Sequence, residues 1–142
     1  MNNPNLNKII ELASQLESGN VLREKIVKGV YDFSVQGGAQ GTYSLGVELP
    51  IHAVVTRSYV DVLATVLPDS AVLGVGSASD ADIVAASAAG SVFEIGQSEG
   101  VQTGTAASML KMTAKKTVYV KIATDDVTAG KFNVFIEYLN SE

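Results

Sequence analysis

"KFNVFIEYL", residues 131–139, sets Phe132, Val134, Ile136 and Tyr138 on one side of an extended segment and Asn133 and Glu137 on the other. A side-chain period of two belongs to a strand with one face buried. The same rhythm runs through "TVYVKIAT" and through "TYSLGVELP", which ends where Pro50 cannot donate to a ladder. It also runs through "AVVTRSYVDVLATVL", residues 53–67, which places Val54, Thr56, Ser58, Val60, Val62, Ala64 and Val66 on one side. Val55, Arg57, Tyr59, Asp61, Leu63, Thr65 and Leu67 fall on the other. That stretch exceeds the ~3–10 residues usual for a strand, so a bend or a change of sheet partner is expected.

Shorter segments complete the series. "VKGVYDFSV" alternates Val27, Tyr31, Phe33 and Val35 with polar neighbours and reads as a strand, broken by "GGAQG". "PDS" is a turn, and "AVLGVGS" is a short strand whose glycines imply a bulge or a close backbone approach. In "SASDADIVAASAAG", Ser79 and Asp82 have capping-box spacing, so one or two helical turns are expected there. "SVFEI" reads as a short or edge strand, "GQSEGVQTGTA" as a loop, and "ASMLKMT" as a strand; "AKK" and "DDVTAG" are turns. Seven or eight strands separated by short turns predict a mainly β domain, an antiparallel β-sandwich or jelly roll, over 27–142.

Residues 1–26 differ. Leu6, Ile9, Ile10, Ala13 and Leu16 recur at three- and four-residue steps, Asn3-Pro4 supplies a start and Gly19-Asn20 a stop. The reading is an N-terminal amphipathic α-helix. One so short is marginal in water until its stripe is buried, so those five residues are the candidate interface, against the chain's own sandwich, another copy or another protein.

The chain is 46% hydrophobic and 18% charged, below the typical charged fraction of about 25%; it is apolar enough for one packed core. With Cys 0, disulfides, Cys–His pairs and zinc ribbons are excluded. No segment approaches the ~18 apolar residues of a membrane span, and the N-terminus lacks the layout of a secretory signal. Net charge is −5, and the acidic excess lies after residue 28, because Lys8, Arg23, Lys25 and Lys28 outnumber Glu11, Glu17 and Glu24 before it. An acidic body does not neutralise phosphates, so nucleic acid is not expected as a partner. Lys115-Lys116, the adjacent basic pair, reads as a solvated turn.

Catalytic parts are few. His52 is the only histidine and stands at the start of the long strand. Asp80 with Asp82 offers two carboxylates where calcium wants six to eight oxygens, and a helix start explains them better. Asp125-Asp126 reads as a turn in which the side chains bond their own backbone. "GVGSAS" and "GGAQG" lack the lysine-serine ending of a phosphate loop. With Trp 0, a sugar-stacking platform would have to use Tyr43 or Tyr119. No catalytic, cofactor or metal site is expected.

As a set, these segments resemble small virion structural proteins of tailed bacteriophages. "VYDFSVQGGAQGTYSLGVELPIHAVVTRSYVDVLATV" is similar to the opening half of that group, "LGVGSASDADIVAA" to its middle element, and "TAGKFNVFIEYL" to its last strand. The resemblance covers about residues 27–139 and leaves out residues 1–26. It implies a β-sandwich in a phage particle, with no enzymatic activity. The expected role is a capsid decoration or cement protein that is made in the host cytoplasm, binds the major capsid protein at the virion surface and self-associates, with a trimer as the first expectation. A tail, neck or fibre-base protein and a host-surface glycan-binding module are the alternatives.

Overall fold

The computed structural model describes Asn5, residues 25–99 and residues 110–141. The expected N-terminal helix, with Leu6, Ile9, Ile10, Ala13 and Leu16, lies outside the described residues.

Among the described residues there are eight strands in two antiparallel four-stranded sheets. The strands are β1 (Lys25–Asp32), β2 (Gly41–Leu49), β3 (Ala53–Leu67), β4 (Val72–Gly76), β5 (Val84–Ala88), β6 (Gly96–Glu99), β7 (Lys116–Ala123) and β8 (Ala129–Asn140). Single helical turns, α1 (Phe33–Gln36) and α2 (Ala89–Val92), join β1 to β2 and β5 to β6. Sheet order is β1-β8-β3-β6 facing β2-β7-β4-β5. The sandwich expected from the sequence is the observed architecture.

β8 lies between β1 and β3. Its Phe132, Val134, Ile136 and Tyr138 are buried, as their spacing predicts. Phe132 packs against Tyr31 and Phe93 with ring centroids 5.2 and 4.9 Å away. Such tilted aromatic contacts add to the area they bury. The Tyr31 hydroxyl donates to the Gly37 carbonyl at 2.7 Å, so this polar tip is satisfied inside the core.

β3 runs over the expected residues and bends without changing partner. Val55 pairs with Tyr138 but Arg57 with Glu137, so Thr56 is an extra residue on this strand. Two further register shifts follow at Val62/Ala64 and Ala64/Leu67. A bulge flips the alternation: Ala53 and Val55 point inward before it, and Ser58, Val60, Val62 and Val66 after it. The alternation of the sequence reading therefore holds only from Ser58 to Val62; Ala64, expected on the buried side, is exposed where the two further register shifts fall, and Val66 is buried again.

Four expectations are corrected. The first strand stops at Asp32, whose carboxylate accepts from the backbone N–H and hydroxyl of Ser34; Phe33 and Val35 enter a helical turn, leaving Val35 80% exposed. Residues 84–88 form strand β5 and not a helix, because pairing with β4 outweighs the weak helical preference of "VAASA". "SVFEI" is not a strand: Ser91 and Val92 close α2 and Phe93 turns into the core. "GQSE" is strand β6, held along β3. "ASMLKMT" is described only from Leu110, where a single bridge joins Lys111 to Val54 and Met112 is buried.

Between β7 and β8, Asp125 N–H donates to the Ala123 carbonyl at 2.8 Å across Thr124, whose φ is 71°. This is a γ-turn of the strained hand, and a β-branched residue is poorly suited to it. Thr124→Gly is expected to raise unfolding free energy by about 0.5–1 kcal/mol in a urea titration, relief of the left-handed strain outweighing the added chain entropy.

Candidate functional site

The register sorts the connections between two ends of the sandwich. Asp32 pairs with Lys131, Gly41 with Ile122, Leu67 with Ala129 and Val72 with Ala123. One end therefore gathers the turns around residues 33–40, 67–71, 89–95 and 124–128. Ala53 pairs with Asn140 and Leu49 with Lys116, which puts 50–52 and 110–115 at the other.

The first end is stitched across loops. Gln40 N–H donates to Asp126 Oδ1 at 3.0 Å, and its amide Nε2 donates to the Thr124 carbonyl. Val127 N–H donates to Gly38 O at 2.7 Å, Thr128 N–H to Leu67 O at 2.8 Å, and the Ser70 hydroxyl to Asp125 Oδ2. The Asp125-Asp126 carboxylates thus bind neighbouring loops, where the sequence pattern implied bonds to their own turn. At the second end, His52 occupies the left-handed position (φ 69°) of a turn closed by Ala53 N–H to Pro50 O. Its backbone N–H donates to Met112 O, and its carbonyl accepts from Ser141. The histidine shapes a turn, and Lys115 Nζ lies 2.9 Å from Glu48 Oε2.

Ser79 and Asp82 do not cap a helix. The buried Asp82 carboxylate reaches back to accept from the N–H groups of Ser77, Ala78 and Ser79 at 2.8, 2.9 and 3.0 Å. Asp80 leans over the second sheet, accepting from the Tyr119 hydroxyl at 2.8 Å and from Lys121 Nζ at 2.7 Å. Those two bonds, Lys121's first, hold the Asp80 carboxyl below its ordinary range. Both aspartates are thus engaged by this chain's own donors, and among the described residues no three His, Cys, Asp or Glu side chains converge as a metal site.

The candidate stacking tyrosines are engaged too. Tyr43 sets its ring edge-on to Tyr31 at 6.3 Å and donates its hydroxyl to Ala39 O at 2.6 Å. Tyr31 is pushed up to about 12, by burial first and then by Tyr43 and Asp32; Tyr119 is pushed up to about 12, by burial and then by its bond to Asp80. A value raised in the fold adds stability that is complete below the unfolded value of ~10 and is lost as pH rises through about 12. Spectrophotometric titration should therefore show Tyr31 and Tyr119 ionising late, together with alkaline loss of the fold. Tyr31→Phe should remove one late step.

An open groove of about 340 Å³ runs beside β1 and β2, floored by Val30, Val35, Leu45 and Gly46 and edged by Asp32, Gln36, Ser44 and Lys131. Asp32 is held below its ordinary range by the Ser34 hydroxyl and N–H, with a smaller contribution from Lys131. Its Ser44 hydroxyl accepts from the Gly46 N–H at 3.1 Å and its Gln36 amide donates to the Ser44 carbonyl at 2.7 Å.

No family model matches the sequence, and no curated protein matches it. Solved structures do match. A chain of the acidic stable capsid structure of Helicobacter pylori bacteriophage KHP30 superposes with a TM-score of 0.59 at 16% identity, over 84% of this chain and 90% of that one. A chain of the capsid asymmetric unit of cyanophage Pam1 gives 0.60 at 18%, over 85% and 87%. A chain of the capsid of Ralstonia phage GP4 gives 0.57 at 16%, over 89% and 88%. Over nearly its whole length, then, this chain has a fold found in the capsids of three phages.

Proposed function

We propose that this chain is a phage virion structural protein, a capsid decoration or cement protein that binds across neighbouring major capsid subunits and reinforces the head. The observation that carries the reading is the near end-to-end likeness to chains of three capsids, in which both partners are covered almost entirely. Chains so matched are about as long as this one, which suits a small accessory of a shell. The architecture fits the work: a closed core and loops tied by cross-loop bonds give a rigid contact surface. Reinforcement would be additive, because each bound copy stabilises only the assembled state and symmetry repeats the gain. The reading makes the protein a non-enzymatic component of the virion surface, self-associated, with three copies at local three-fold positions.

The N-terminal stripe of Leu6, Ile9, Ile10, Ala13 and Leu16 is the proposed anchor. β1 starts at Lys25, so deleting residues 1–24 removes none of the eight strands among the described residues. The truncated protein should keep its far-ultraviolet dichroism and cooperative unfolding while no longer co-sedimenting with capsids. Loss of the cooperative transition would instead place the stripe in the chain's own core.

A further inference from the structure

Leu63, Leu67 and Ile95 are 50%, 44% and 71% exposed. The register puts them at one corner of the sandwich: Val62 pairs with Gly96, Leu67 with Ala129, and Ile95 N–H donates to Thr65 Oγ1 at 3.3 Å. Exposed apolar side chains gathered this way mark a contact surface. Around this corner stand Asp69, Glu94, Asp125 and Asp126, all exposed, and no ion pair among the described residues uses them. The opposite end has the converse make-up. Ile51 projects there, 46% exposed, at the end that the register also gives to Lys111, Lys115, Lys116 and the start of β1 at Lys25. The molecule thus carries an apolar patch with a mainly acidic rim at one end, where Lys131 is paired with Asp32, and an apolar tip with a mainly basic rim at the other, where Glu48 is paired with Lys115.

We propose that the acidic end of one copy docks on the basic end of a second copy, Ile51 meeting the Leu63–Leu67–Ile95 corner while the rim charges face their opposites. The charges explain the occupant. Two acidic ends repel, as do two basic ends, whereas the unlike pairing is attractive and fixes the orientation. Joining unlike surfaces is heterologous, so it closes into a ring when the rotation per copy permits and otherwise extends as a chain. This deepens the self-association in the proposed function. It is tested on the isolated 142-residue chain, so failure of shell binding and failure of this contact are read separately.

Asp125, Asp126 and Lys115 bind within the fold, so the variants avoid them. Asp69→Lys with Glu94→Lys reverses the acidic rim, and Lys111→Glu with Lys116→Glu reverses the basic one. In sedimentation velocity the unaltered protein should associate, less so as salt rises. Each double variant should keep its dichroism and weaken association by about tenfold or more. Mixing the two should restore complexes containing both, because each reversed end then meets its opposite. Ile95→Ser should weaken association at any salt concentration. A monomeric wild type, double variants that associate as it does, or a mixture that stays apart would each overturn the inference.

Discussion

Gly76→Ala is expected to cost about 3 kcal/mol of stability, near the upper end for overpacking. A Cβ at this position would lie 1.9 Å from the Ser79 carbonyl oxygen and 2.8 Å from the Asp80 carbonyl carbon. These are backbone atoms of a loop folded over the strand, so no rotamer change relieves the clash. Gly90→Ala is the informative contrast. There the new methyl meets only the Asp69 side chain at 3.1 Å, and alanine suits a helical turn better than glycine. It should fall within about 0.5 kcal/mol of neutral, as ordinary surface changes do. Urea unfolding of both variants measures the difference.

Asp82→Ala should be comparably severe, at about 3 kcal/mol, by another route. It leaves the Ser77, Ala78 and Ser79 amides without their acceptor, and a buried group left unpaired costs ~1–3 kcal/mol. Asp82→Asn keeps one acceptor oxygen and should recover part of the loss. Both changes act on the loop that brings Ile83 into the core and sets Asp80 over Tyr119. The Gly76→Ala/Asp82→Ala double variant should therefore cost less than the two singles together, because a loop already displaced has less left to lose. A double-mutant cycle in urea would register that shortfall.

The same loop shows where the sequence could be read and where it misleads. β2, β3, β7 and β8 were legible because each buries one face, and burial imposes the alternation directly. β6 was not, since "GQSE" has little strand preference and is extended only because β3 offers it a partner. Ser79 and Asp82 have the spacing of a helix start, but the spacing does not say which way the carboxylate turns, and Asp82 reaches back to upstream amides. The flip of β3 at Thr56 was hidden too, because a bulge depends on the partner strand's register.

The interaction surfaces divide in the same way. The apolar stripe of residues 6–16 is readable from its period alone. The two charged ends are not, because Asp69, Glu94 and Asp125 sit far apart in the chain, as do Lys25 and Lys111. They become neighbours only once strand order is known. The signal was present in the turns, acidic in "PDS" and "TDDVTAG" and basic in "AKK", and the topology assigns each turn to its end.

The proposed function depends on the chain acting by contact with a shell. The most direct measurement is co-sedimentation of the protein with capsids of the phage proposed to carry it, together with densitometry of the purified virions. The account predicts saturable binding to the head and a copy number in fixed proportion to the major capsid protein. Confinement to the neck or tail in a few copies, or failure to bind the shell, would contradict it.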